Sequence, residues 1–179
     1  MLSGGEAICP GESALIKVDI LAGASPYEIT IENYPGTTIT GYTSGMLLTV
    51  TPAVTTTYTL TSVRDANGCL VALPSANVSG SATVTLRENP VITKHPEDVI
   101  TCEYGLVSFS VEATGSGLSY KWYVDDKSGF KPLTDEGVYS GSSSATLSIF
   151  GATRLMDGYK FRVVASACGN SVTSDEATL

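Results

Sequence analysis

The sequence predicts an all-β protein built as two consecutive β-sandwich modules. Three observations carry that reading. Thr, Ser, Val and Gly outweigh the helix formers. Apolar and polar residues alternate in short runs broken by Gly, Pro, Asn and Asp. Four cysteines stand at similar intervals, with Cys69 60 residues after Cys9 and Cys168 66 residues after Cys102. A chain of 179 residues has room for two domains of about 90 residues, each with its own core.

In the first module, Ala14, Ile16 and Val18 alternate with polar or smaller residues, as in a strand with one buried face. A turn carrying Gly23 and Ser25-Pro26 follows, and then a second alternating strand, Tyr27-Glu-Ile-Thr-Ile31. Further strands are expected at 46–51, 57–63 and 81–86. The second module repeats the plan. Counted from its first cysteine, Val107, Phe109 and Val111 occupy the offsets of Ala14, Ile16 and Val18, and Tyr120 and Trp122 those of Tyr27 and Ile29. The agreement runs over 20 positions without a gap. Glycines 115 and 117 supply the intervening turn, and strands are expected at 145–150, 159–165 and 171–179. Strands every 8–12 residues with turn residues between them point to sandwiches, not βαβ units. The junction falls at Arg87-Glu-Asn-Pro90, where Pro90 biases Asn89 toward extended backbone. The expected domains are 1–88 and 89–179, joined by a short linker.

Charged residues make up 16 %, with a net charge of −8, and Lys and Arg form no cluster. That excludes a nucleic-acid partner, which needs clustered cations to neutralise phosphates, and it argues against an anionic membrane face. No apolar run approaches the 20 or so residues of a spanning helix, so membrane insertion is not expected. Met1-Leu-Ser-Gly-Gly lacks the basic and apolar regions of a signal peptide. The expectation is therefore a segment of a longer exported chain, with neighbouring domains among its partners.

Four cysteines allow three connectivities. Pairing within modules, Cys9–Cys69 and Cys102–Cys168, needs only local closure and is the expected pattern. In the chain-entropy model each bond would stabilise its module by roughly 4 kcal/mol. No closely spaced Cys or His pair suggests zinc, and neither metal nor cofactor is expected. His95, the sole histidine, precedes Pro96 and reads as a solvated linker residue, so no catalytic residues are assigned. Asp125-Asp126 and Asp135-Glu136 read as hairpin carboxylates. Asp65-Ala-Asn67-Gly68 has half the look of a calcium loop and is better explained as a tight turn. Asn77-Val-Ser79 is a formal glycosylation sequon. Lys17 is the one lysine available to the first module for an isopeptide bond, which nothing else supports. Tyr34, Tyr42, Phe130 and Tyr139 fall in or near expected loops, where aromatics can stack on a ligand, though none is assigned as a binding residue.

The second module resembles an immunoglobulin-like domain. Gly105-Leu-Val-Ser-Phe-Ser-Val111 looks like strand B, Tyr120-Lys-Trp122-Tyr like strand C with its core tryptophan, and Leu147-Ser-Ile149 like strand E. Asp157-Gly-Tyr-Lys-Phe161-Arg-Val163 looks like the corner into strand F. The resemblance implies that Val111 and Val163 replace the usual B–F disulfide with an apolar contact under Trp122. It also implies that Phe161 stands in place of the tyrosine-corner residue. Cys102 then precedes strand B and Cys168 follows strand F, so their bond is expected to clamp the module's rim.

The phrases Thr101-Cys-Glu, Leu118-Ser-Tyr-Lys-Trp, Tyr139-Ser-Gly-Ser-Ser-Ser-Ala-Thr-Leu and Asp157-Gly-Tyr-Lys-Phe-Arg resemble repeats of large secreted surface proteins of Bacteroidetes, including gliding-motility adhesins. The first module is similar to the companion PKD-like or immunoglobulin-like repeat, through Cys9-Pro-Gly-Glu-Ser-Ala, Ser25-Pro-Tyr, Thr55-Thr-Thr-Tyr-Thr-Leu-Thr and Asp65-Ala-Asn-Gly-Cys69. The implied function is a non-catalytic spacer, display or adhesion segment at the bacterial surface or outside the cell. The alternative is an accessory polysaccharide-binding module of a secreted enzyme. An extracellular protein or polysaccharide would be the partner.

Overall fold

In a computed structural model that describes residues 1–36, 38–72 and 80–179, the chain divides into two compact units, Met1–Arg87 and Glu88–Leu179. Both are immunoglobulin-like β-sandwiches. No helix among the described residues is long and apolar enough to cross a membrane.

Unit 1 contains β1 (Leu2–Gly4), β2 (Ala7–Ile8), β3 (Ala14–Val18), β4 (Tyr27–Glu32), β5 (Thr38–Tyr42), β6 (Leu47–Val50), β7 (Thr56–Arg64), β8 (Leu70–Ala72) and β9 (Ser81–Leu86). One sheet has the order β1-β3-β6, and the other the order β2-β9-β7-β4-β5 with β8 also on β7. The alternation read from the sequence is the pleat of this sandwich. Ala14, Ile16 and Val18 on β3 face Ile29 and Ile31 on β4, Tyr58 and Leu60 on β7, and Val84 on β9 in one buried cluster. The chain changes sheets between β1, which pairs antiparallel with β3, and β2, which pairs parallel with β9. Gly4 and Gly5 make that crossing in left-handed conformations (φ 104° and 91°), and a Cβ on Gly5 would stand 2.4 Å from the Thr83 carbonyl oxygen.

Unit 2 contains β10 (Val91–Lys94), β11 (Leu106–Ser110), β12 (Glu112–Thr114), β13 (Ser119–Asp125), β14 (Phe130–Pro132), β15 (Tyr139–Ser140), β16 (Thr146–Phe150), β17 (Lys160–Ala167), β18 (Asn170–Thr173) and β19 (Ala177–Thr178). One face is β11-β16-β15 with the β10-β12 pair, and the other is β14-β13-β17-β18 with β19 on β17. Trp122 lies directly opposite Val163 in the β13–β17 ladder. Trp122, Val163 and Val111 are all buried in one cluster with Val107, Leu147 and Ile149. The indole N–H donates to the Ser144 carbonyl at 2.8 Å, so the ring's polar edge is satisfied. Phe161 lies stacked on Phe109 with centroids 4.8 Å apart.

The strand expected at 171–179 is interrupted. At the break Ser174 is buried and its hydroxyl accepts the Val163 N–H at 3.0 Å, a side chain standing in for a ladder carbonyl. The Asp175 N–H then turns to His95 Nδ1 at 2.8 Å.

Candidate functional site

The cysteines correct the most specific sequence expectation. Cys69 and Cys102 carry free, exposed thiols, whereas Cys9 and Cys168 are disulfide-bonded. Neither Cys9–Cys69 nor Cys102–Cys168 is therefore formed.

The reason is the direction of the strands. Cys9 follows β2, whose partner residues Thr85 and Leu86 lie beside the start of β7, where the Leu86 N–H meets the Thr55 hydroxyl. Cys69 follows the other end of β7, beyond Arg64. At about 3.3 Å per residue the length of β7 separates them, far more than the roughly 7 Å Cα separation a disulfide tolerates. Unit 2 repeats the arrangement. Cys102 lies in the turn before β11, near Ala152 and Leu179, which flank the Lys160 end of β17. Cys168 lies beyond the Ala167 end, in a left-handed conformation (φ 52°). The first and last cysteine of each unit thus stand at opposite poles.

The other candidates are held in structural roles. His95 is half-buried within unit 2, not solvated in a linker, and its Nδ1 accepts the Asp175 N–H. Asp65 accepts the N–H groups of Asn67 (3.0 Å) and Cys69 (2.8 Å) on one oxygen and that of Ala24 (3.2 Å) on the other. Those bonds, led by the Ala24 and then the Cys69 amide, hold its carboxyl below the usual range. Asp135 accepts the Ser142 N–H at 2.7 Å and its carboxyl is likewise lowered, chiefly by Ser142. Asp126 is lowered by the Ser128 hydroxyl first and by Lys131, whose Nζ lies 2.9 Å away. Asp125 accepts the Gly129 N–H. Glu136 is exposed beside Asp135 in the same turn. Lys17 pairs with Asp19 at 3.1 Å on the surface. Among the described residues no three His, Cys, Asp or Glu side chains converge on a point that could hold a metal ion. The sequon 77–79 lies outside the described residues.

The four aromatics assigned to loops do not form a binding strip. Tyr42 ends β5 and is fully buried. Its hydroxyl accepts the Val18 N–H at 2.7 Å and lies 2.9 and 2.8 Å from the Val18 and Met46 carbonyls, bridging the two sheets. Burial pushes that phenol above its ordinary pKa. Tyr34 packs against the core of unit 1. Tyr139 leans on Phe161, and Phe130 lies under the Arg162 guanidinium at 3.8 Å.

Sequence reasoning missed the exposed apolar residues at the poles. At the Cys102 pole of unit 2, Ile100 is wholly exposed, with Leu155 82 % and Tyr104 74 % exposed. Leu106 and Phe150 are paired opposite each other on the adjoining edge. A cleft of about 410 Å³ opens there, lined by Ile100, Cys102, Arg154, Asp157 and Leu179 among others. At the Cys69 pole of unit 1, Leu21 is wholly exposed and Met46 and Leu70 are partly so. No catalytic constellation joins these residues. What they offer is two accessible thiols set among apolar side chains.

No family model matches the chain, and no curated protein matches it. Solved structures do. The "I-band fragment I67-I69 from titin" superposes with a TM-score of 0.63 at 17 % identity, over 99 % of this chain and 64 % of that one. A mutated variant of the same three-domain fragment gives 0.54 at 19 % identity, over 99 % and 62 %. The chain thus spans less than two thirds of either of these fragments. At this identity the likeness establishes the fold, a tandem of immunoglobulin-like domains.

Proposed function

We propose that the chain is a non-catalytic tandem of immunoglobulin-like repeats from a bacterial surface or secreted protein, of the Bacteroidetes adhesin type, serving as a spacer, display or adhesion segment. The observation that carries this is where the reactive side chains go. His95, Asp65 and Asp135 each accept backbone N–H groups that hold a strand crossing or a turn together. Two sandwiches whose polar groups are engaged in their own turns make a durable repeat, and function in such folds resides on the surface. The disulfide-bonded cysteines fit an oxidising, extracellular location.

One observation favours the polysaccharide-binding alternative enough to test it: Tyr104 and Phe150 are exposed at the same pole of unit 2. The experiment is depletion of the purified chain by insoluble polysaccharides, alongside binding to intact cells. The spacer and adhesion reading expects no saturable retention on polysaccharide. Retention that disappears in Tyr104→Ala and Phe150→Ala would replace it with the accessory-module reading.

A further inference from the structure

The first strand of unit 2 leaves β12 after Lys94 and runs on through His95 and buried Pro96. Three hydrogen bonds then tie it to the segment between β18 and the end of β19. The Val99 N–H donates to the Thr178 carbonyl at 2.9 Å, and the Thr178 N–H donates to the Asp98 carboxylate at 2.6 Å. The third tie is His95, whose Nδ1 accepts the Asp175 N–H at 2.8 Å. An imidazole nitrogen accepts only when it carries no proton, so this bond requires the neutral ring with its hydrogen on Nε2. Protonation makes Nδ1 a donor, and a donor cannot face the Asp175 N–H. A replacement partner already stands beside it, because the exposed Asp175 carboxylate lies 3.5 Å from the same nitrogen. The other charges around the ring are engaged. Glu97 pairs with Lys94 at 3.8 Å, Lys94 stands opposite Glu112 in the β10–β12 ladder, and Glu176 pairs with Lys160 at 2.8 Å. β11 contributes Ser108, Phe109 and Ser110, none of them titratable, to a recess of about 160 Å³ beside the ring. β18 and β19 carry no titratable side chain.

We propose that His95 is a proton-operated switch in the strand crossing of unit 2. Neutral, it accepts the Asp175 N–H; protonated, it releases that amide and donates to the Asp175 carboxylate. The proton comes from solvent, to which the half-buried ring is open, and histidine is the side chain that changes charge between about pH 5 and 8. The exchange reaches the core ladder through one residue. Ser174 donates its hydroxyl to the Asp175 carbonyl at 2.7 Å and accepts the Val163 N–H at 3.0 Å, and Val163 stands opposite Trp122. Val99 and Asp98 keep their hold on Thr178 in both states. The switch therefore resets the Ser174–Asp175 link without releasing β19. It goes beyond the spacer reading and requires neither adhesion nor a ligand, so either can fail alone.

The experiment is a titration of the nitrogen-15-labelled chain from about pH 8 to about pH 5, the range in which histidine changes charge. Long-range proton–nitrogen spectra report the protonation of each ring nitrogen, and amide spectra report Asp175. At the alkaline end the ring is expected as the Nε2–H form, with the Asp175 amide held downfield by its hydrogen bond. As His95, the sole histidine, takes up its proton, the Asp175 amide should move upfield with the same midpoint. The Val163 amide should follow with a smaller change. His95→Asn offers an amide oxygen where Nδ1 stands and does not titrate, so its Asp175 amide should hold its position throughout. An Nδ1–H ring at the alkaline end would overturn the proposal. So would a ring that takes up no proton in this range, an Asp175 amide that stays still while His95 titrates, or one that moves identically in His95→Asn. The wild-type spectra decide the first three of these outcomes by themselves, whether or not the variant folds.

Discussion

Tyr42 is where a single hydroxyl holds most. It closes the distance between β5 and β3, accepting the Val18 N–H at a buried site. Tyr42→Phe keeps the ring and leaves that N–H without a partner, which costs about 1–3 kcal/mol. Urea denaturation should report it as a lowered midpoint with an unchanged slope. Asp65 makes a different kind of contribution, because its carboxyl is depressed by the Ala24 and Cys69 amides. A depressed carboxyl stabilises the fold above its unfolded pKa of about 4, and the contribution is lost as pH falls through the folded value. Thermal melts from pH 7 down to pH 3 should therefore fall less steeply for Asp65→Ala, from a lower starting point, than for wild type. Neither role was readable from residue type alone. Tyr42 lies on a strand, Thr38-Ile-Thr-Gly-Tyr42, too polar to reveal itself by alternation, so the pattern alone places its ring in or near a loop. The cysteine poles were readable in principle. In a sandwich where strands B and F run in the same direction, a residue ahead of B and one behind F must lie at opposite ends.

At the scale of elements, the long inward-facing strands were legible and the short ones were not. β3, β4, β11, β13, β16 and β17 bury every second residue along most of their length, and β7 does so at Tyr58 and Leu60, which is the signal the sequence carries. β2, β15 and β19, at two residues each, have no room for a period. The first strand of each sandwich shows what pattern reading cannot see, because it changes sheets midway. Unit 1 makes the change with Gly4 and Gly5. Unit 2 makes it at His95 and buried Pro96, after which Val99 donates to the Thr178 carbonyl of β19 at 2.9 Å. A glycine pair and a latched histidine solve the same geometric problem. Gly5→Ala combines a left-handed residue with a Cβ driven into the Thr83 carbonyl. It should destabilise unit 1 by about 1–3 kcal/mol, measured as a lower urea midpoint, while unit 2 is unaffected.

For the whole molecule, two separate cores predict two cooperative unfolding units, since each cluster contains only residues of its own sandwich. The protein supplies its own reporter for separating them. Trp122 is the sole tryptophan and is fully buried in unit 2, so its emission follows that unit alone. Far-UV circular dichroism follows both. Phe161→Ala removes a ring stacked on Phe109 and should destabilise unit 2 by about 3–5 kcal/mol, moving the emission midpoint strongly. Tyr42→Phe and Gly5→Ala should leave the emission midpoint in place and shift only the part of the dichroism signal that emission does not track. A single transition, coincident by both probes and displaced equally by substitutions in either unit, would mean that the sandwiches fold as one body. Independent transitions would mean that each repeat carries its own stability.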